Sequence, residues 1–192
     1  MRHGVLLLLP GIAVLVAVLV AVFVRARRRR PSSPVVEMLR AGEILLDPPC
    51  LTRDELIATL TAVLAVRAGR PDDAASFAAL VREREALAGT GVGDGVAIPH
   101  GEVPGLGGPM LAFARLAAGV DFDAPDGERV RLVFLLLMPA REYDRQLEIL
   151  SAMARLLIRP ELRRGLLAAR APSEVVTLLD GAVRGAVRGQ ER

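Results

Sequence analysis

The sequence predicts an α/β fold in which a mixed β-sheet is flanked by helices and preceded by one N-terminal transmembrane helix. Helical patterns alternate with three to five short apolar runs of strand length, which is typical of an α/β sandwich. One of these runs, Val130 to Leu137, is almost unbroken and is typical of a strand covered on both faces. Near the N-terminus, the run from Val5 to Val24 contains only apolar residues, proline and glycine.

This N-terminal run has the length and the flanks of a membrane anchor. At about 1.5 Å per residue it spans a hydrocarbon core of about 30 Å. One arginine, Arg2, precedes it and five follow between residues 25 and 30, so the positive-inside rule predicts a single-pass protein of the inner (cytoplasmic) membrane whose domain faces the cytoplasm. A cleaved signal peptide and a true start at Met38 are alternatives. The predicted organisation is a transmembrane helix over 5–24, a basic stop and linker over 25–37, a domain over 38–181 and a flexible tail over 182–192, with residues 5–30 in contact with membrane lipid.

The distribution of charge argues against nucleic-acid binding. The chain has a formal net charge of +3, but residues 1–30 hold six of its 25 basic residues and no acidic residue. The remainder has 19 basic and 22 acidic residues, a net charge of −3, and aromatic residues make up only 3% of the chain. The domain therefore lacks both the basic face and the stacking residues that nucleic-acid binding needs. The single cysteine, Cys50, excludes an internal disulfide.

The first third of the domain predicts two helices around one short strand. Glu37 to Leu39 can form a first helical turn or two, and Ile44 to Leu46 is a buried-strand candidate that two prolines end. Thr52 and Glu55 have the spacing of a capping box, in which each residue bonds the backbone N–H of the other. The helix that they begin is predicted to run to about Val66.

The middle of the domain predicts one more helix and two strands. Gly69 to Pro71 breaks the preceding helix, and Asp72 is predicted to cap the next, which leads to Arg84. A strand from Met110 to Leu116 and a tight polar turn from Asp121 to Gly127 then lead into the long apolar strand.

The last third predicts three helices. Asp144 to Ile158 is amphipathic, with apolar residues recurring at three- and four-residue steps. A second helix begins after Pro160, and a third is predicted to begin at a Ser173 cap and to stop near Gly181.

The stretch from Arg84 to Gly101 is organised around a histidine. Its last residue but one is His100, the only histidine outside the extreme N-terminus. Glycines at four alternate positions between 89 and 95 allow backbone N–H groups to turn toward a bound anion, because no Cβ blocks the approach. Pro99 fixes φ immediately before the histidine. The pattern favours a phosphate-binding loop that presents an imidazole nucleophile at a strand end.

Three blocks of sequence resemble one protein family in order and spacing. The first is REREAL followed by TGVGDGVAIPHG, within residues 82–101. The second is VDFDAPDGERVRLVFLLLMP at residues 120–139, and the third is LEILSAMARLLIRPELRRGLLAA at residues 147–169. Together they resemble the enzyme IIA domains of the bacterial phosphoenolpyruvate-dependent sugar phosphotransferase system, of the fructose–mannitol and nitrogen-regulatory type. The resemblance covers about residues 38–181 and implies an enzyme IIA type-2-like sandwich.

The resemblance also implies a chemical role for the histidine. His100 would accept a phosphoryl group from a histidine-containing phosphocarrier protein and pass it to the cysteine of an enzyme IIB domain, or use it to regulate a membrane partner. An imidazole suits this role because its ordinary pKa of about 6.5 leaves it neutral at working pH. Arg84 matches the arginine that lies near the active histidine in the family, with Arg82 as the alternative if the helix register differs. The candidate phosphate-binding groups are the backbone amides of Thr90, Gly91, Val92, Gly93 and Gly101.

One position departs from the family pattern. Gln146 stands where many members have a second histidine, and a glutamine can donate a hydrogen bond but cannot carry a proton or a charge. The departure keeps open a second hypothesis, a regulatory binding module that docks a membrane transporter or another partner without being phosphorylated. Whether the chain is a transferase component, and which imidazole nitrogen reacts, both stay open. No cofactor is predicted, and no metal site, because the domain has no second histidine and Asp121, Asp123 and Asp126 fit a turn better than a calcium loop.

Overall fold

The computed structural model describes residues 33–50 and 52–189. Within them the chain forms six α-helices, six β-strands and a short 3₁₀ turn at Pro71–Asp73. The helices are α1 (Pro34–Ala41), α2 (Arg53–Arg67), α3 (Ala74–Leu87), α4 (Tyr143–Leu157), α5 (Pro160–Ala168) and α6 (Pro172–Gly189). The strands are β1 (Glu43–Leu46), β2 (Gly91–Gly93), β3 (Val96–Ala97), β4 (His100–Val103), β5 (Met110–Val120) and β6 (Val130–Pro139).

The six strands form one mixed sheet. Its order is β1, β5, β6, β3, β2, and β4 also pairs with β6. The pairs β1/β5, β3/β6 and β4/β6 are parallel, whereas β5/β6 and β2/β3 are antiparallel. Strand β6 therefore lies at the middle of the sheet. Both β3, which precedes the histidine, and β4, which begins with it, pair with β6.

Strands β3 and β4 lie one after the other along the same edge of β6. Val96 pairs with Leu132 in β3, and His100 pairs with Leu136 in β4. The segment Ile98-Pro99 between them belongs to neither strand, although the Leu136 N–H donates to the Pro99 carbonyl at 2.9 Å. Pairing with the central strand thus fixes the position of His100 along β6.

Apolar cores lie on both faces of the sheet. Helices α2 and α3 cover one face, where they pack with Leu135 and Leu137 of β6. Helices α1, α4, α5 and α6 cover the other, where they pack with Leu132, Phe134 and Leu136. These five β6 side chains are all at most 1% exposed. The sequence-based prediction of a strand covered on both faces is confirmed, because alternate side chains of β6 enter opposite cores.

Several element boundaries differ from the sequence-based expectation. Helix α1 begins at Pro34, within the predicted linker. Strand β5 continues to Val120, and Asp72 lies in the 3₁₀ turn, so that α3 begins only at Ala74. Helix α6 continues past Gly181 to Gly189. It can do so because Ala182 and Val183 extend the apolar face that packs on the core, and this packing outweighs the low helix propensity of glycine.

The predicted fold class is corrected in one respect. It included a membrane-spanning helix over residues 5–24, which lie outside the described part of the chain. Within residues 33–50 and 52–189, no helix combines the length and the apolar content that crossing a bilayer requires. The supported fold class is therefore a mixed sheet flanked by helices. The predicted transmembrane helix, and the single-pass membrane localisation that depended on it, are not supported. The predicted linker over 25–37 also falls largely outside the described residues, and the lipid contact over 5–30 falls wholly outside them.

Candidate functional site

His100 is the first residue of β4 and is 8% exposed. Its Nδ1 lies 3.0 Å from the carbonyl oxygen of Ile98. A carbonyl oxygen can only accept a hydrogen bond, so Nδ1 carries the proton of the neutral ring and donates it to Ile98. The lone pair of the neutral imidazole therefore lies on Nε2.

The surroundings of His100 favour its neutral form. Burial is the largest influence and lowers the pKa of His100 below its ordinary value, and the positive charge of Arg84 lowers it further. The hydrogen bond to Ile98 and the negative charges of Glu85 and Glu102 act in the opposite direction and are outweighed. At neutral pH the ring is consequently uncharged and nucleophilic.

Arg84 lies in the last turn of α3, within electrostatic range of His100. Its Nη1 donates to the carbonyl oxygen of Ala88 at 3.0 Å, a bond that holds the guanidinium at the helix end. Arg82 is directed elsewhere, because its Nη2 donates to the Asp54 carbonyl of α2 at 3.0 Å. Of the two arginines, Arg84 is therefore the one whose charge acts on His100, whereas Arg82 is bound to α2.

The glycine-rich loop forms a tight hairpin between β2 and β3. At its turn Asp94 and Gly95 have φ values of 54° and 71°, the pair of positive values that a type I′ turn needs. The Asp94 N–H donates to Oδ2 of Asp126 at 2.6 Å, which ties the hairpin to the turn between β5 and β6. Gly93 also has a positive φ of 92°, and the side chain of Val92 between the glycines is exposed. Several of the glycines thus serve backbone geometry.

Gly91 and Gly101 are required by close packing. A Cβ on Gly91 would lie 2.9 Å from Cα and Cβ of Ala124. A Cβ on Gly101 would lie 3.0 Å from Cγ2 of Val81 in α3. Glycine at these two positions lets the loop approach the β5–β6 turn and lets β4 approach α3.

Thr90 is buried and bound to Glu85. Its N–H donates to Glu85 Oε1 at 3.0 Å, and its hydroxyl donates to Oε2 at 2.5 Å. The Thr90 amide, one of the predicted phosphate-binding groups, is therefore already engaged within the protein.

Gln146 lies in the first turns of α4 and is partly exposed. Its backbone N–H donates to the Glu142 carbonyl at 2.9 Å. In the part of the chain that the structure describes, its side chain makes no hydrogen bond. Gln146 therefore makes no hydrogen bond with His100, whereas the Ile98 carbonyl does.

Two groups of the site were missed by sequence reasoning, the Ile98 carbonyl and the Glu85 carboxylate. Neither has a distinctive local pattern, since one is a backbone atom and the other belongs to a charged run on a helix. The hairpin that joins them could have been found, because Asp-Gly between two short extended runs is a strong hairpin signal.

Comparison with known proteins gives the family. The model of the family described as "Phosphoenolpyruvate-dependent sugar phosphotransferase system, EIIA 2" matches residues 37–181. The chain belongs to this family. The match includes every site residue described above.

Relatives with sugar-specific and with regulatory names are both similar to the chain. The fructose-specific EIIA component of Haloferax volcanii is 41% identical over 136 residues, which are 71% of this chain and 88% of that protein. A nitrogen regulatory protein of Pseudomonas aeruginosa is 35% identical over 127 residues, which are 66% of this chain and 82% of that one. The crystal structure of nitrogen regulatory protein IIA-Ntr from Neisseria meningitidis superposes with a TM-score of 0.71 at 33% identity, covering 77% of this chain and 99% of that one.

Proposed function

We propose that this chain is a phosphoryl carrier that accepts a phosphoryl group on Nε2 of His100. The observation that carries the proposal is the 3.0 Å contact between Nδ1 and the Ile98 carbonyl, because it leaves the lone pair on Nε2. The lowered pKa of His100 supports it, since only a neutral ring is a nucleophile. Membership of the enzyme IIA family supports the class of reaction.

The transfer is a displacement at phosphorus. The Nε2 lone pair attacks the phosphorus of a phosphohistidine on a donor protein, and an N–P bond forms as the donor's P–N bond breaks. The donor's ring nitrogen takes the electron pair of the broken bond. Nδ1 of His100 keeps its proton, and the Ile98 carbonyl stabilises the positive charge that the ring gains. In the onward step a thiolate attacks phosphorus, and Nε2 leaves with its electron pair.

Arg84 and backbone amides stabilise the transferring group. A phosphoryl transition state is loose and spreads negative charge over three equatorial oxygens, so donors and positive charge are what the protein supplies. A guanidinium has five N–H donors, and Arg84 uses Nη1 on Ala88. The amides of Gly91, Val92, Gly93 and Gly101 are the proposed further donors.

The proposed donor is a histidine-containing phosphocarrier protein, and the proposed acceptor is an enzyme IIB cysteine or a regulated protein. The names of the relatives support both kinds of acceptor, because one relative is fructose-specific and two are nitrogen regulatory proteins. Gln146 supports a second candidate, a binding module that is never phosphorylated, because it cannot take over a proton or charge from the ring.

A labelling experiment separates these two functions. The purified full chain is incubated with phosphoenolpyruvate and the two general carrier proteins of the system, and intact mass is measured under alkaline conditions that preserve phosphohistidine. We expect one phosphate adduct on the wild-type chain and none on His100→Ala.

The sequence offers a matched control, since His3 is the other of its two histidines. His3→Ala is expected to keep the adduct. A wild-type chain that stays unlabelled while a control IIA domain is labelled in the same mixture would contradict the carrier function and favour the binding module.

A further inference from the structure

We propose that Glu85 is a positioning residue for His100, acting through Thr90 and Ile98 to hold the ring with Nε2 as its free nitrogen. The inference deepens the proposed function and rests on it for its catalytic meaning. Its structural part, that a carboxylate on α3 sets the proton position on the ring, can be tested without any phosphoryl donor.

Glu85 is an unusually placed carboxylate. It is 7% exposed, although carboxylates are rarely buried unless they are paired or hydrogen-bonded. Both of its oxygens accept from Thr90, at 3.0 Å from the N–H and 2.5 Å from the hydroxyl. Nη1 of Arg53, at the start of α2, lies 3.6 Å from Oε1. A buried charge that takes both donors of one residue holds that residue in a defined place.

Thr90 transmits this constraint to Ile98. The Ile98 N–H donates to the Thr90 carbonyl oxygen at 3.0 Å. Ile98 lies between β3 and β4, and this bond holds the chain on the N–H side of the residue. On its carbonyl side the chain is held at Pro99, whose carbonyl oxygen accepts from the Leu136 N–H at 2.9 Å. The carbonyl of Ile98 accepts from Nδ1 of His100 at 3.0 Å. Three successive hydrogen bonds thus connect the Glu85 carboxylate to the imidazole.

The chain of bonds is anchored at its far end. Nη1 of Arg53 lies 2.7 Å from Oδ2 of Asp123, in the turn between β5 and β6. The same turn contacts Gly91, the residue after Thr90, so closely that a Cβ there would lie 2.9 Å from the carbonyl oxygen of Phe122. Arg53 therefore joins α2, the end of α3 and the β5–β6 turn around Thr90.

The position of the Ile98 carbonyl determines which imidazole nitrogen of His100 can attack phosphorus. If the Ile98 carbonyl moves, Nδ1 loses its acceptor, and the neutral ring can place its proton on either nitrogen. Molecules with the proton on Nε2 have no lone pair there and cannot attack phosphorus at that atom. A hydrogen bond of ordinary strength favours the reactive tautomer by up to about tenfold.

The direct test is ¹⁵N NMR of the imidazole in the full, unphosphorylated chain at about pH 8, where the ring is neutral. We expect the wild-type His100 ring to be predominantly the Nδ1–H tautomer. In Glu85→Ala the fraction of the Nε2–H tautomer should rise several-fold. In Glu85→Gln the amide oxygen can still accept from Thr90, so the wild-type tautomer should be largely restored.

Glu83→Ala is the matched control, because Glu83 is an exposed glutamate of the same helix. It should leave the tautomer unchanged. Thermal unfolding identifies variants that do not fold, and if Glu85→Ala is one of them, Thr90→Val replaces it, since this change removes the hydroxyl donor at nearly constant volume. An unchanged tautomer ratio in a folded Glu85→Ala or Thr90→Val variant would overturn the inference.

The phosphoryl-transfer assay distinguishes the failure of this inference from that of the proposed function. If the wild-type chain takes no phosphate, the carrier function fails whatever the tautomers show. If it is labelled, Glu85→Ala should slow labelling severalfold, by up to about tenfold, with little change in the apparent KM for the phosphorylated carrier protein. Equal labelling rates for Glu85→Ala and Glu83→Ala would show that Glu85 does not contribute to phosphoryl transfer.

Discussion

At the scale of single residues, the electrostatic balance on His100 decides whether the ring is reactive. Burial and Arg84 lower the pKa of His100, whereas Glu102 and Glu85 raise it. Above this lowered pKa the ring is neutral, so the lowering extends the pH range of the nucleophile downward. Acceptor activity should accordingly be lost only as the pH falls below the pKa of His100.

Two charge-removing variants should shift this pKa in opposite directions. Arg84→Gln removes a nearby positive charge and should raise the pKa of His100, because the protonated ring is then less repelled. Glu102→Gln removes a negative charge and should lower it. Both are measured by NMR titration of the His100 ring, with Arg164→Gln, an exposed position on α5, as the control. Shifts of the same sign in the first two variants would contradict the assigned electrostatics.

The sequence indicated some residues of the site and not others. His100 was predicted as a site residue from its proline and glycine neighbours, and Arg84 from the resemblance to the family. The Ile98 carbonyl and the Glu85–Thr90 pair were not, because their contacts depend on the hairpin folding back over the end of α3. The roles of Gln146 and of the amides at Gly91, Val92, Gly93 and Gly101 stay predictions.

At the scale of elements, the hairpin of β2 and β3 is positioned by close contacts of its glycines. Gly91 approaches the β5–β6 turn at a distance that leaves no room for a methyl group. The hairpin holds Thr90 against Glu85, so the packing of one glycine bears on the geometry of the histidine. Capping gives a second example of local control, since the predicted box between Thr52 and Glu55 is present at the start of α2.

Gly91→Ala should destabilise the fold and disturb the site. The added Cβ would lie 2.9 Å from backbone and side-chain atoms of Ala124, so the hairpin or the turn must shift. The expected loss in the free energy of unfolding is about 1–3 kcal/mol, measured by chemical denaturation.

Gly107→Ala serves as the control for this change. Nothing lies within 4 Å of a Cβ at this position, so its effect should be within about 1 kcal/mol. Equal stabilities of the two variants would show that the close approach at Gly91 is not a constraint.

Element boundaries were predicted where local chemistry dominates and missed where packing dominates. The Thr52 box and the two-faced strand β6 follow from patterns that act locally. The extension of α6 past Gly181 depends on the packing of Ala182 and Val183, which no local pattern indicates. The late start of α3 at Ala74 follows from the 3₁₀ turn at Pro71–Asp73 that precedes it.

At the scale of the whole molecule, a mixed sheet covered by helices on both faces places the site at one edge of its central strand. Arg84 and Glu85 come from α3 on one face, and the hairpin comes from the far edge of the sheet. The alternation of helical and strand patterns predicted this architecture, and the family model matches residues 37–181, which include all six strands. The membrane-spanning helix was predicted from the length of one apolar run and from the arginines that flank it. No helix of the described residues 33–50 and 52–189 is long and apolar enough to cross a membrane.

The central claim is that Nε2 of His100 is a temporary carrier of phosphate. The most direct measurement is NMR of the ¹⁵N-histidine-labelled chain after incubation with phosphoenolpyruvate and the general carrier proteins. We predict phosphorus coupling to Nε2 of His100, with the proton retained on Nδ1. Phosphate bonded to Nδ1, or a His100 ring that stays unmodified while a control IIA domain is phosphorylated, would contradict the claim.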